Sequence, residues 1–148
     1  MTTVLERLVR FGVIPIITHP ERNATVVSDL SRLTEWIECG CLVQITGGSI
    51  TGRFGKAAEE CANQLLKQQR VHLIASDAHS MDKRPPALKE AFEKTRQRFG
   101  LDTAERLCLH NPAAVFNGEP IPLGMKPLER THRPGFKASG RFSWIFGS

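Results

Sequence analysis

No stretch of this sequence approaches the roughly 18 to 20 uninterrupted apolar residues that a membrane-spanning helix needs. The opening residues, Met1-Thr2-Thr3-Val4-Leu5-Glu6-Arg7, also lack the apolar core of a secretion signal. Cysteine is sparse and unpaired in pattern: among Cys39, Cys41, Cys61 and Cys108, Cys39-x-Cys41 has no matching second pair, so no zinc-ribbon spacing is spelled out. Cys61 and Cys108 fall on the apolar stripes of predicted helices, where a free thiol behaves as a small hydrophobe. Neither a Ser-His-Asp triad nor a nucleophilic-cysteine signature can be assigned. The glycine-rich run from Gly47 to Lys56 fails the phosphate-loop spacing, because Ile50 stands where the first glycine should be and Ala57 follows the lysine. Its glycines read instead as a tight turn and a close backbone approach. These absences point to a reduced, cytoplasmic protein with no membrane span.

What is present is an ordinary globular composition. A chain of 148 residues, 41% of them hydrophobic, is the size of one domain and can bury a core. The formal net charge is +5, but the tail from Gly124 onward, with Lys126, Arg130, Arg133, Lys137 and Arg141 against Glu129 alone, carries four of those charges. The rest is nearly balanced, which argues against nucleic acid as a partner. The tail also holds Phe136, Phe142, Trp144 and Phe146. It reads as a basic, flexible segment over 124–148, able to touch an anionic surface or an acidic partner, behind a domain over 1–123.

Along the chain strands alternate with helices. Thr3–Phe11 carries Val4, Leu5, Leu8 and Val9 at helical spacing, with Gly12 placed for a left-handed helix end. Strand Val13–Thr18 follows. Ser28 is the expected cap of a helix bearing Leu30, Leu33, Trp36 and Ile37 on one face, ended by Gly40 before strand Leu42–Ile45. After a loop over Thr46–Gly52, a helix is expected from Arg53 to Gln69 with Phe54, Ala58, Cys61, Ala62 and Leu65 inward, then strand Val71–Ala75. Arg84-Pro85-Pro86 is read as opening a helix through Phe99. Asp102-Thr103-Ala104-Glu105 resembles a capping box, and Asn111-Pro112 an N-cap followed by proline. Short strands that are apolar throughout are those of a parallel sheet covered by helices.

Two of these strands end in clusters of metal-ligand residue types: His19-Pro20-Glu21-Arg22 and Ser76-Asp77-Ala78-His79. Parallel strands deliver their carboxyl ends to one side of the sheet, where α/β proteins build sites. If extended geometry continues past Ala75, Asp77 and His79 point the same way. Taken singly, a lone histidine is usually structural and Asp-x-His is common; the two clusters strengthen one another. Arg22 and Arg84 lie a few residues beyond, suited either to bidentate phosphoryl binding or to surface ion pairs with Glu21 or Asp82.

The segments Gly12–Arg22, Gln44–Gly55 and His72–Ser80, together with Arg84-Pro85-Pro86 and Asn111-Pro112, resemble the CpsB/CapC-type bacterial tyrosine phosphatases of the PHP superfamily, in family order over Met1 to Ile121. The resemblance implies the C-terminal part of a distorted (β/α) barrel, parallel strands with covering helices, that binds a metal cluster, usually manganese. It implies hydrolysis of phosphotyrosine on the tail of an autophosphorylating kinase controlling capsule or exopolysaccharide synthesis. By position His19, Asp77 and His79 resemble metal ligands, and Arg22 and Arg84 resemble phosphate-contacting catalytic residues. Metal-bound hydroxide would attack phosphorus while the arginines neutralise the equatorial oxygens.

The family's His-x-His strand, a further histidine and a bridging glutamate, all upstream of the segment resembling Gly12–Arg22, have no counterpart here. The chain is therefore expected to be a C-terminal portion with an incomplete ligand set, weak metal binding, impaired activity, and exposed sheet edges that favour self-association. The alternatives are a PHP-type phosphoesterase for a small phosphate monoester and a non-catalytic module that binds the kinase.

Overall fold

The structure is a computed structural model describing residues 2–121, so the basic tail and the boundary expected near 123 lie outside the described residues. Three strands, β1 (Ile16–Thr18), β2 (Leu42–Thr46) and β3 (Leu73–Ala75), form one parallel sheet in the order β1-β2-β3. Ile16 pairs with Leu42 and Gln44 with Leu73, so all three carboxyl ends emerge on the same side. Val43 and Ile45 of the central strand are fully buried, as a strand covered on both faces requires. The strands are shorter than the apolar runs: Val13 and Ile14 stand exposed before β1, and Val71 and His72 are buried ahead of β3.

Helix α1 (Thr2–Arg10) buries only Leu5 among its apolar residues, while Val4 and Leu8 face solvent. Gly12 and Gly40 hold positive φ after α1 and after the helix that stops at Glu38, as their places at helix ends require. The helix expected behind Ser28 is two short ones, α2 (Ala24–Ser28) and α3 (Ser31–Glu38). Ser28 ends the first rather than capping the second. Asn23 caps α2 by accepting from the Thr25 and Val26 amides, and Asp29 accepts from the Ser31 amide and hydroxyl. The anticipated inward face holds: Leu33 and Trp36 are buried, with Leu30 and Ile37 packed against the core.

A short helix, α4 (Gly47–Ile50), replaces the loop expected after β2. Helix α5 (Lys56–Lys67) begins later than Arg53, because Gly55 has φ +88° and a helix cannot run through it. Ala58, Cys61, Ala62 and Leu65 line its buried side as anticipated, but Phe54 belongs to the turn before it.

Helix α6 (Lys89–Phe99) begins after the Pro85-Pro86 pair rather than with it. Helix α7 (Leu101–Glu105) runs through a π turn (Arg106–His110) into α8 (Asn111–Phe116). Asp102 lies inside the first turn and Asn111 inside continuous helix, so neither caps as the sequence suggested. Pro112 cannot donate a backbone hydrogen bond, and the turn before it is widened, a known accommodation for proline in a helix interior. The Asn111 amide instead donates to the His72 carbonyl at 2.7 Å, tying α8 to the lead-in of β3. Cys41, Cys61 and Cys108 are buried free thiols, and burial pushes the Cys61 and Cys108 pKa values up to about 11.

Candidate anion and metal site at the strand ends

The backbone turns sharply where each outer strand stops. His19 (φ +40°) follows β1 and Asp77 (φ +54°) follows β3, two of only three non-glycine residues with positive φ among the described residues. Left-handed backbone at such residues is uncommon and tends to persist where surrounding contacts enforce it, often at functional sites. At His19 the enforcing contacts are clear: its amide donates to the Gln44 carbonyl at 2.9 Å, and its own carbonyl accepts from the Arg22 amide at 3.1 Å, closing a 3-10 turn over Pro20–Arg22.

Glu21 fastens that turn to the middle of the sheet. Its side chain is fully buried, and Oε1 accepts from the Thr46 amide at 3.0 Å and the Ser49 hydroxyl at 2.7 Å. A surface ion pair with Arg22 was one reading of this glutamate. The carboxylate instead points inward and satisfies the end of β2 and the start of α4, leaving Arg22 free to reach across to β3.

There Arg22 Nη1 donates to Asp77 Oδ2 at 3.0 Å. Arg84 Nη2 donates to the same oxygen, so Asp82 is not its partner. Arg84 arrives by way of a tight loop: its carbonyl accepts from the His79 amide at 3.0 Å, and the Ser80 hydroxyl accepts from the Lys83 and Arg84 amides. Because Asp77 is left-handed, the extended path assumed for Asp77 and His79 does not continue. His79 Nδ1 lies 2.8 Å from the Asp77 carbonyl and 3.8 Å from Oδ1. The two side chains still neighbour one another, through a turn rather than a strand. Asp77 is 17% exposed and His79 58%.

Phe54 sits below the arginines, its ring centroid 4.1 Å from Arg22 Cζ and 5.9 Å from Arg84 Cζ. Its place depends on Gly48, where an added Cβ would stand 2.6 Å from the Phe54 ring. The close approach expected of the Gly47-Gly48 pair is real, and Gly47 likewise abuts Ala91 and Leu88. Glu21 and Phe54 are the two residues of the site that the sequence did not expose. A signal for Phe54 was available in Gly52 and Gly55, which bracket it as turn residues.

Asp77 and His79 neighbour one another, whereas His19 stands at the end of the opposite outer strand, with β2 between them. Yet among the described residues no three His, Cys, Asp or Glu side chains lie close enough together to hold a metal ion. A metal needs about four donors, and the Asp77 oxygen nearest the arginines is already engaged by both. These donors alone do not fit a metal. What Asp77 and the arginines form is an ion cluster, in which two cations converge on one carboxylate oxygen.

Three parallel strands with covering helices, and Arg22 and Arg84 meeting Asp77 beyond the strand ends, define an α/β protein with an ionic cluster on the carboxyl side of its sheet. The family model of capsular polysaccharide synthesis proteins, CpsB/CapC, matches residues 1–117. This chain belongs to the CpsB/CapC family. It is similar to CapC of Staphylococcus aureus, 39% identical over 110 residues, 74% of this chain and 43% of that protein. It is similar also to CpsB of Streptococcus pneumoniae, named a tyrosine-protein phosphatase, 30% identical over 76% of this chain and 49% of that one. Crystal structures of YwqE from Bacillus subtilis and CpsB from Streptococcus pneumoniae, described as metal-dependent tyrosine phosphatases, provide a match with a TM-score of 0.77 and 32% identity, covering 81% of this chain and 48% of that chain. The expected PHP-type α/β fold is thereby borne out. The chain spans about half the length of the relatives it matches.

Proposed function

We propose that the strand-end cluster is the phosphoryl-binding wall of a metal-dependent protein-tyrosine phosphatase of the capsule or exopolysaccharide type, working in the cytoplasm on the phosphotyrosine tail of a bacterial tyrosine kinase. The observation that supports it is the convergence of Arg22 and Arg84 on one Asp77 oxygen. Two guanidiniums against one carboxylate leave a net positive pocket. Guanidinium forks match phosphoryl oxygens in geometry and charge, so a phosphate dianion competes well for the place that the Asp77 oxygen now holds. With the phosphoryl group there, Arg22 and Arg84 would orient it and offset charge on its equatorial oxygens.

In this reading His19, Asp77 and His79 contribute part of a divalent-metal set, with manganese the expected ion, and the donors that complete it lie beyond these three. Such a metal supplies Lewis acidity and an activated water when bound.

The test is binding of a phosphotyrosine peptide to the purified chain against its unphosphorylated twin. Preference for the phosphorylated peptide, abolished in Arg22→Ala and Arg84→Ala, supports the proposal. Equal binding of both peptides would overturn it, and tighter binding of a small sugar phosphate would move the assignment to a phosphomonoesterase.

A further inference from the structure

We propose that Phe54 is the positioning residue of the arginine pair, and that its ring, seated by the absent side chain of Gly48, keeps Arg22 and Arg84 converged on a single point. The consequence for phosphate rests on the reading given under Proposed function; the positioning itself does not.

Two like charges drawn to one oxygen repel each other, and each sits at the end of a long, rotatable side chain. Asp77 is the only side chain that hydrogen-bonds either head among the described residues. Any ligand that takes the place of the Asp77 oxygen removes those bonds at the moment the arginines must be in position. The Phe54 ring is the contact that remains, since both Cζ atoms lie within the roughly 6 Å at which a ring face attracts a cation.

The ring itself is held by backbone. The Arg53 amide donates to the Gly48 carbonyl at 2.8 Å, and Gly52 and Gly55, both at positive φ, turn the chain tightly on either side. At Gly48 a methyl group would occupy the space of the ring edge, 2.6 Å from Cε2. A side chain there displaces the platform without touching either arginine.

The experiment uses the full chain and its Phe54→Leu, Phe54→Tyr and Gly48→Ala variants. The side-chain Nε–Hε resonances of Arg22 and Arg84 are followed by NMR, with and without inorganic phosphate. In the native chain the Arg22 signal is expected to carry a ring-current shift. Phe54→Leu and Gly48→Ala lose that shift, with phosphate affinity down about 5- to 30-fold from two weakened cation–ring contacts. Phe54→Tyr keeps both within about 2-fold, on the same principle that any aromatic face serves.

Unchanged arginine signals in folded Phe54→Leu would overturn the proposal. So would a Phe54→Tyr chain that loses the arginine shift and the affinity as fully as the leucine variant does. If Phe54→Leu does not fold, Gly48→Ala decides the question by the same two readouts. Arginine signals that depend on Phe54 in a chain that binds no phosphate leave the positioning role standing and sink the phosphoryl reading instead.

Discussion

Acid should weaken this fold through a single buried imidazole. His72 is 4% exposed and lies between β2 and β3. Its Nδ1 accepts from the Val43 amide at 3.0 Å, its own amide donates to the Val43 carbonyl at 2.9 Å, and its carbonyl accepts from Asn111. Because Nδ1 is an acceptor, the ring proton sits on Nε2, which has no partner. Protonating Nδ1 would set an N–H against the Val43 N–H in a dry site. Burial first, and the Arg106 charge second, accordingly lower the His72 pKa from 6.5 to about 4.

The sign follows from proton counting. Between those values the unfolded chain holds the proton and the folded chain does not, so stability falls as pH drops from 6.5 and the loss is complete near 4. At about 1.4 kcal/mol per pH unit, the loss is about 3 kcal/mol. That is a large share of the roughly 5 to 15 kcal/mol that stabilises a domain.

The assay is urea unfolding of the native chain and His72→Asn between pH 7 and 4. Asparagine Oδ1 can accept from the Val43 amide but does not titrate. The native chain should lose about 3 kcal/mol more than the variant across this range. Parallel loss in both proteins would refute the reasoning.

Three further outcomes are expected. Glu21→Ala strands the Thr46 amide and the Ser49 hydroxyl in the interior and should cost about 2 to 4 kcal/mol, whereas Glu21→Gln, which keeps an acceptor at Oε1, should cost less; thermal unfolding ranks them, and equal costs would show that the hydrogen bonds are not what the glutamate provides. Since the described donors do not close around a metal, the purified chain should hydrolyse a phosphotyrosine peptide little if at all with manganese, and robust turnover lost in Asp77→Ala would contradict that. Val13 and Ile14 are exposed just ahead of the outer strand β1, as are Val4 in α1 and Phe11 just after it, so self-association should raise the unfolding midpoint with protein concentration; a concentration-independent transition from a monomer in sedimentation would count against it.

Local patterns were readable because local physics sets them. Runs such as Leu42–Ile45 and Val71–Ala75 read as buried strands by their length and branching, the second two residues longer than the strand that forms, and Gly12 and Gly40 stop helices because left-handed backbone costs them little. The strand-end clusters were legible as well, since parallel strands must bring their ends together. Glu21 was not: a carboxylate between proline and arginine reads as surface, and its burial is decided by an amide and a hydroxyl 25 and 28 residues away. Phe54 matched the helical stripe of α5 by spacing, but the positive φ of Gly55 broke that register.

The sequence by itself therefore determined which residue types reach the strand ends and that the sheet is parallel, because hydrophobic period and turn chemistry act over a few residues. Only the tertiary structure decided what those residues do to one another. It turned Asp77 out of the extended path, brought Arg22 across 55 positions to meet it, folded Arg84 back onto the same oxygen, and set both guanidiniums on a ring that Gly48 makes room for. Charge convergence of that kind depends on distances between segments remote in the chain, and no local pattern encodes them.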